Sequence, residues 1–154
     1  MYWTGYSSAS IRKASMDGSS PITLFSGLKG PGGLAIDLPS RRLYWAEYSG
    51  NKIQSSDLDG QDLRTVIQLS SGSGPWGVAL AGDRIYWGHY GNKTLQSGKK
   101  DGSDVKALYT GPSPIRLMTV VPALYQPTNR VNHCEGQVCS KLCVLTTTSF
   151  RCLA

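Results

Sequence analysis

The residues with the most specific chemistry in this sequence are its cysteines, its histidines and one glycosylation sequon. Cys134, Cys139, Cys143 and Cys152 all fall in the last 21 of 154 residues. Gaps of four, three and eight residues separate them. That spacing lacks the Cys-x2-Cys knuckle of a zinc site. A cysteine-dense tail behind a cysteine-free body instead fits a small disulfide module of an oxidising compartment, with three pairings open. Arg130-Val131-Asn132-His133, just before Cys134, lacks the acidic cluster a calcium site would need. His89 and His133 are the only histidines. No Gly-x-Ser-x-Gly elbow and no glycine-rich phosphate loop accompanies them. The sequence therefore predicts no enzyme, no cofactor and no metal. Asn92-Lys93-Thr94 is an N-glycosylation sequon, used only in a secreted chain.

A body built from repeats must position these groups. Tyr2-Trp3, Tyr44-Trp45 and Tyr86-Trp87 recur at an interval of 42 residues, and Asp17-Gly18, Asp59-Gly60 and Asp101-Gly102 keep the same step. The segments GPGGLAID (30–37) and GPWGVALA (74–81) repeat more loosely, with SPIRLMTV (113–120) as a degenerate third copy. Such a period indicates a propeller or a solenoid. Short runs of strand formers separated by Asp-Gly and Gly-rich turns, without helical periodicity, make the chain all-β. Strands are predicted near 2–4, 10–15, 22–25 and 33–37; then 43–47, 52–56, 63–68 and 76–80; then 84–88, 93–97, 105–109 and 115–121. Units of four antiparallel strands describe propeller blades, whose flat faces must be covered by neighbours. Alternation along a strand sends Tyr and Trp to opposite faces, so each pair can serve both neighbouring blades. Tyr2, Trp3, Tyr44, Trp45, Tyr86 and Trp87 are thus the expected interblade packing residues.

Charge narrows the function. The net charge is +6, with 40% hydrophobic and 17% charged residues. Basic residues are interspersed with acidic ones, which argues against nucleic acid but leaves room for an acidic protein partner. No apolar run is long enough to span a bilayer, and no signal peptide precedes the first strand.

YWTG, YWAE and YWGH, the MDG and LDG turns, and GLAID ahead of RRLYW resemble the YWTD, or class B, repeats of the low-density lipoprotein receptor family. The tail QPTNRVNHCEGQVCSKLCVLTTTSFRC resembles the EGF-like module that follows such propellers. The resemblance implies a partial propeller of about three four-stranded blades, from a six-bladed ring, over 1–121. A linker over 122–130 and a truncated EGF-like module over 131–154 would follow. It implies the pairings Cys134–Cys143 and Cys139–Cys152. The missing half ring would come from further blades of a longer chain or from a second copy.

The Asp that closes the family tetrad is expected to tie neighbouring blades. Here Gly5, Glu47 and His89 stand in its place; Glu47 can partly substitute and Gly5 cannot. The resemblance further implies an extracellular or cell-surface, non-catalytic segment that binds protein ligands. Its parent would be an endocytic or Wnt-type signalling receptor, the alternative being an adhesion or basement-membrane scaffold. The resemblance implies that protein ligands meet the face where loops converge on the axis, or the blade rim. The matching positions, between Pro and Gly at the head of each innermost strand, are Gly32, Trp76 and Ile115, with Arg116 beside the last. Trp76 has two readings, a ligand anchor or packing within its own blade. Arg116 can pair with an acidic ligand group. His89 is read either as structural or as a pH switch. Asp37, which could hold axial calcium in a propeller enzyme as could Asp83, reads better as a turn anchor.

Overall fold

The computed structural model describes residues 1–116 and 118–120, together with backbone strands at 142–145 and 150–153. Eleven strands form the body: β1 (Tyr2–Gly5), β2 (Ser10–Lys13), β3 (Ile22–Phe25), β4 (Pro31–Asp37), β5 (Arg42–Glu47), β6 (Lys52–Asp57), β7 (Arg64–Gln68), β8 (Pro75–Ala81), β9 (Arg84–His89), β10 (Thr94–Lys99) and β11 (Lys106–Thr110). They make three antiparallel sheets, ordered β1-β2-β3, β4-β5-β6-β7 and β8-β9-β10-β11. Each sheet is one blade. Each predicted strand up to residue 109 has its counterpart within a few residues.

Two expectations are corrected. The first blade has three strands, not four. The predicted strand over 115–121 is absent among the described residues of that span, where Val120 alone makes an isolated bridge. In the complete blades the innermost strand is held by the Tyr-Trp strand that follows it, β4 by β5 and β8 by β9. No further Tyr-Trp copy follows Ile115 in this sequence. Pro112 and Pro114 also remove two amide donors. Met118 and Val120 nonetheless pack on Leu95 and Ile115.

The predicted linker and most of the predicted EGF-like module, with Cys134, Cys139 and their pairings, lie outside the described residues. Of the module's span only two strands are described: β12 (Leu142–Leu145) pairs antiparallel with β13 (Phe150–Leu153), with Cys143 opposite Cys152 in the backbone register.

The aromatic pairs divide between the blade faces as alternation requires. Trp45 is fully buried and packs with Leu43 and Ile11 of the first blade. Tyr44 turns the other way and packs with Val78, Ile85 and Trp87 of the third. Trp87, also fully buried, faces the second blade, and Tyr86 faces outward with Leu95 and Leu108. Tyr2 joins the layer between the first two blades. Trp3 departs from the pattern: half-buried, it lies at the open side of the first blade, with the Arg12 guanidinium 5.6 Å from its ring centre.

The Asp-Gly turns also join blades. Gly60 lies on Leu24 of β3, and a Cβ at Gly102 would collide with the Val66 carbonyl of β7. Both glycines have positive φ, +82° and +89°, so they supply the turn and the close approach together. Ion pairs reinforce the joints at the same end. Lys13 Nζ meets Asp59 Oδ1 at 2.6 Å, and Lys100 Nζ meets Asp37 Oδ2 at 2.6 Å. Asp37 is buried and also accepts a bond from Ser40 Oγ at 2.6 Å. Burial alone would raise its pKa, but the bonds from Lys100 and Ser40 outweigh burial and hold it below the usual carboxylate value. A carboxyl lowered in the folded state adds stability above its unfolded pKa, near 4, and loses that contribution as pH falls through its own folded value. Asp37→Asn should therefore unfold at lower urea than the parent at pH 7, by roughly 1–3 kcal/mol. The gap should narrow as pH falls below about 4. A gap that does not depend on pH would contradict the latch.

Candidate ligand-binding face

Antiparallel pairing places six segments at one end of the blades. They are the loops 6–9, 26–30, 48–51, 69–74 and 90–93, and the stretch 111–116. This end is built on the fourth position of each Tyr-Trp motif. Glu47, almost fully buried, accepts a bond from the Lys29 amide at 3.1 Å. Lys52 approaches the same oxygen at 3.8 Å, and the Gln54 amide donates to the other. Lys29 lies on the connection from the first blade to the second, so Glu47 does tie blades, as its sequence position suggests.

His89 does the same by different chemistry. It is fully buried, with Nδ1 2.9 Å from the Ser73 carbonyl on the next interblade connection. Its Nε2 accepts from Trp87 Nε1 at 3.0 Å. Gln96 Oε1 lies 2.9 Å from the same nitrogen, so three groups enclose the ring. The structure thus gives His89 a clamping role beneath the face. In the first blade Gly5 offers no such group. Ser8 fills the space, bonded to Ser10 Oγ at 2.7 Å and to the Gly5 carbonyl at 3.3 Å.

One position beyond these clamps stand Tyr6, Tyr48 and Tyr90, again 42 residues apart. Their rings converge on Trp76. Ring centres of Trp76 and Tyr6 lie 5.3 Å apart, Trp76 and Tyr48 5.7 Å, and Trp76 and Tyr90 6.4 Å. Tyr48 and Tyr90 meet edge to face at 5.9 Å. One tryptophan of the third blade therefore touches a tyrosine from every blade. Offset and tilted contacts of this length are favourable aromatic geometry. Tyr6 and Tyr90 remain exposed at the two ends of the cluster. The Arg116 guanidinium sits 4.7 Å from the Tyr90 ring centre, a cation–π contact.

The four sequence candidates divide. Trp76 and Arg116 come together through Tyr90. Trp76 is half-buried and shared among blades rather than confined to its own. Gly32 presents no side chain and acts as a gap: a Cβ there would lie 2.6 Å from the Trp76 carbonyl. Ile115 does not present a side chain to the face. It is buried against Gly88 and Leu95, and its amide donates to the His89 carbonyl at 3.1 Å, which fixes Arg116 next to it. Asn92 is exposed on the loop that carries Tyr90, with Thr94 Oγ1 donating to its Oδ1 at 2.6 Å. The sequence reasoning missed the three tyrosines, although their period was visible.

Residues 41–80 match the low-density lipoprotein receptor repeat class B. The matched span runs from β5 to β8, so one sequence repeat straddles two blades. No curated protein sequence matches the chain. Among solved structures, a nidogen/laminin complex contains a chain similar to this one at 23% identity and a TM-score of 0.69, covering 78% of this chain and 48% of that one. A virginiamycin B lyase from Staphylococcus aureus is similar at 21% identity and a TM-score of 0.62, covering 77% and 41%. A gluconolactonase from Xanthomonas campestris is similar at 21% identity and 0.60, covering 71% and 37%. At these identities the likeness is one of fold, and this chain spans about half or less of each. No helix among the described residues is long and apolar enough to cross a membrane.

Proposed function

We propose, for a chain carrying a low-density lipoprotein receptor class B repeat on a propeller fold, that the face around Trp76 recognises a protein ligand. The observation that carries this reading is the meeting of Tyr6, Tyr48 and Tyr90 on one tryptophan, with Arg116 at the rim. Rigid aromatic groups beside an arginine are the side chains that dominate binding hot spots. The role is recognition without catalysis. His89 is enclosed in its clamp, and Asp37 is paired with Lys100 at the opposite end. The setting is extracellular, as part of an endocytic or Wnt-type signalling receptor. A matrix scaffold is the second reading, favoured by the likeness to a chain from a nidogen/laminin complex. The EGF-like tail with disulfides Cys134–Cys143 and Cys139–Cys152, and a glycan on Asn92 at the rim of the face, belong to the same proposal. So do further blades, of a longer chain or a second copy, covering Trp3 on one side and Tyr86 and Leu108 on the other.

Selection of displayed random peptides on the wild-type protein tests the reading. Selected peptides should lose about 30-fold or more in affinity for Trp76→Ala, the loss of one hot-spot anchor. They should bind unchanged to Met16→Ser, altered at the far end. Peptides that bind Trp76→Ala as well as wild type would overturn it.

A further inference from the structure

The exposed carboxylates of residues 1–120 are gathered at one end of the molecule, whereas cations stand at both. Each of the eight aspartates in residues 1–120 lies at the end away from Trp76, at a strand terminus or in the loops 14–21, 58–63, 82–83 and 100–105. The only other acid in that span is Glu47, which is buried, bonded to the Lys29 amide and Gln54, and ion-paired with Lys52. The face around Trp76 thus exposes no carboxylate from the described residues. It does expose cations. Lys29 adjoins Gly30, over which Tyr6 and Tyr48 lie; Lys93 shares the Tyr90 loop; Arg116 covers the Tyr90 ring. Among the described residues neither Lys29 nor Lys93 makes a side-chain ion pair, whereas Lys13, Arg42, Arg64, Arg84, Lys100 and Lys106 at or toward the other end are each neutralised by an aspartate.

An apolar centre with unneutralised cations at its margin has a defined complement. We propose that the segment bound at this face is an acidic peptide. Its apolar side chains stack on Trp76 and the tyrosines while its carboxylates meet Lys29, Lys93 and Arg116. Such an arrangement steers encounter and selects partners by charge, and it weakens with salt. A sulfated polysaccharide fits less well, because the cations are few and aromatic surface separates them. The inference rests on the reading of this face as a protein-binding surface and adds the chemistry of the partner.

Three biotinylated ten-residue peptides test it, alternating leucine with glutamate, with glutamine or with lysine. Binding is measured to the whole chain and to Arg116→Gln, Lys29→Gln and Trp76→Ala. The glutamate peptide should bind at least tenfold more tightly than the glutamine peptide at 0.15 M salt. It should weaken several-fold at 0.5 M and on either cation substitution, and the lysine peptide should bind least. Equal binding of the three peptides, or no effect of Arg116→Gln and Lys29→Gln, would overturn the acidic partner. If Trp76→Ala still abolished binding, the protein-binding face would stand without it. Binding of all three peptides indifferent to Trp76→Ala, or no binding to wild type, would sink both. Tighter, Trp76-independent binding of heparin would point to a polysaccharide and overturn the inference.

Discussion

Trp87→Ala should be the most damaging single substitution in the propeller body. Trp87 is fully buried between the second and third blades, packed with Tyr44, Ile53, Val78 and Ile85. Its removal leaves a cavity in the layer that joins two sheets. Truncations of this kind cost about 3–5 kcal/mol. It also removes the Trp87 indole from His89, whose contacts with Ser73 and Gln96 persist. Domains have only about 5–15 kcal/mol in total. Urea unfolding should therefore show Trp87→Ala largely unfolded or close to it.

A conservative pair separates packing from hydrogen bonding. Trp45 is equally buried, but its Nε1 has no partner among the described residues. Trp45→Phe should cost only lost volume, whereas Trp87→Phe also forfeits the His89 bond, about 1 kcal/mol more. Equal costs for the two would mean that the His89 clamp contributes little.

Gly32→Val should couple the stability of the body to the shape of the face. The added Cβ would sit 2.6 Å from the Trp76 carbonyl and 3.3 Å from its Cα, and these are backbone atoms that no rotamer can move away. Overpacking of this kind costs about 1–3 kcal/mol. Beyond stability, it would push β8 from β4 and carry Trp76 off Tyr6, which it reaches across the second blade. Ligand affinity should fall with it, although residue 32 need touch no ligand. The check is unfolding and peptide binding measured on the same variant. Loss of stability with full retention of binding would show that Trp76 is held independently of the β4–β8 approach.

Much of this fold is legible because spacing carries it. Tyr-Trp pairs and Asp-Gly turns repeat in step, and period-two alternation by itself assigns Trp45 and Tyr44 to opposite faces of their strand. Other repeated devices keep the same step with less conspicuous residues. Arg42 and Arg84 each bind an aspartate, Asp62 or Asp104, and a serine, Ser55 or Ser97. The left-handed backbone at Ala9, Asn51 and Lys93 keeps the interval while the residue type changes, so residue identity conceals it.

The candidate face is legible only in part. Trp76 and Arg116 follow from their place in the repeat. The convergence of Tyr6, Tyr48 and Tyr90 does not, since residues 42 apart meet only if blades pack radially and a side chain as long as Trp76 spans the gap left by Gly32. Ile115 misleads because its slot in the repeat is that of an exposed position, yet Gly88 leaves a hollow that its side chain fills.

Hydrogen exchange of the four tryptophan indole N–H groups, followed by NMR, tests the radial stacking most directly. The account predicts slow exchange at Trp45 and Trp87, which are sealed between blades, and fast exchange at Trp3 and Trp76, which reach solvent. Exchange at Trp45 and Trp87 as fast as at Trp76 would show that the blades do not stack through their aromatic pairs.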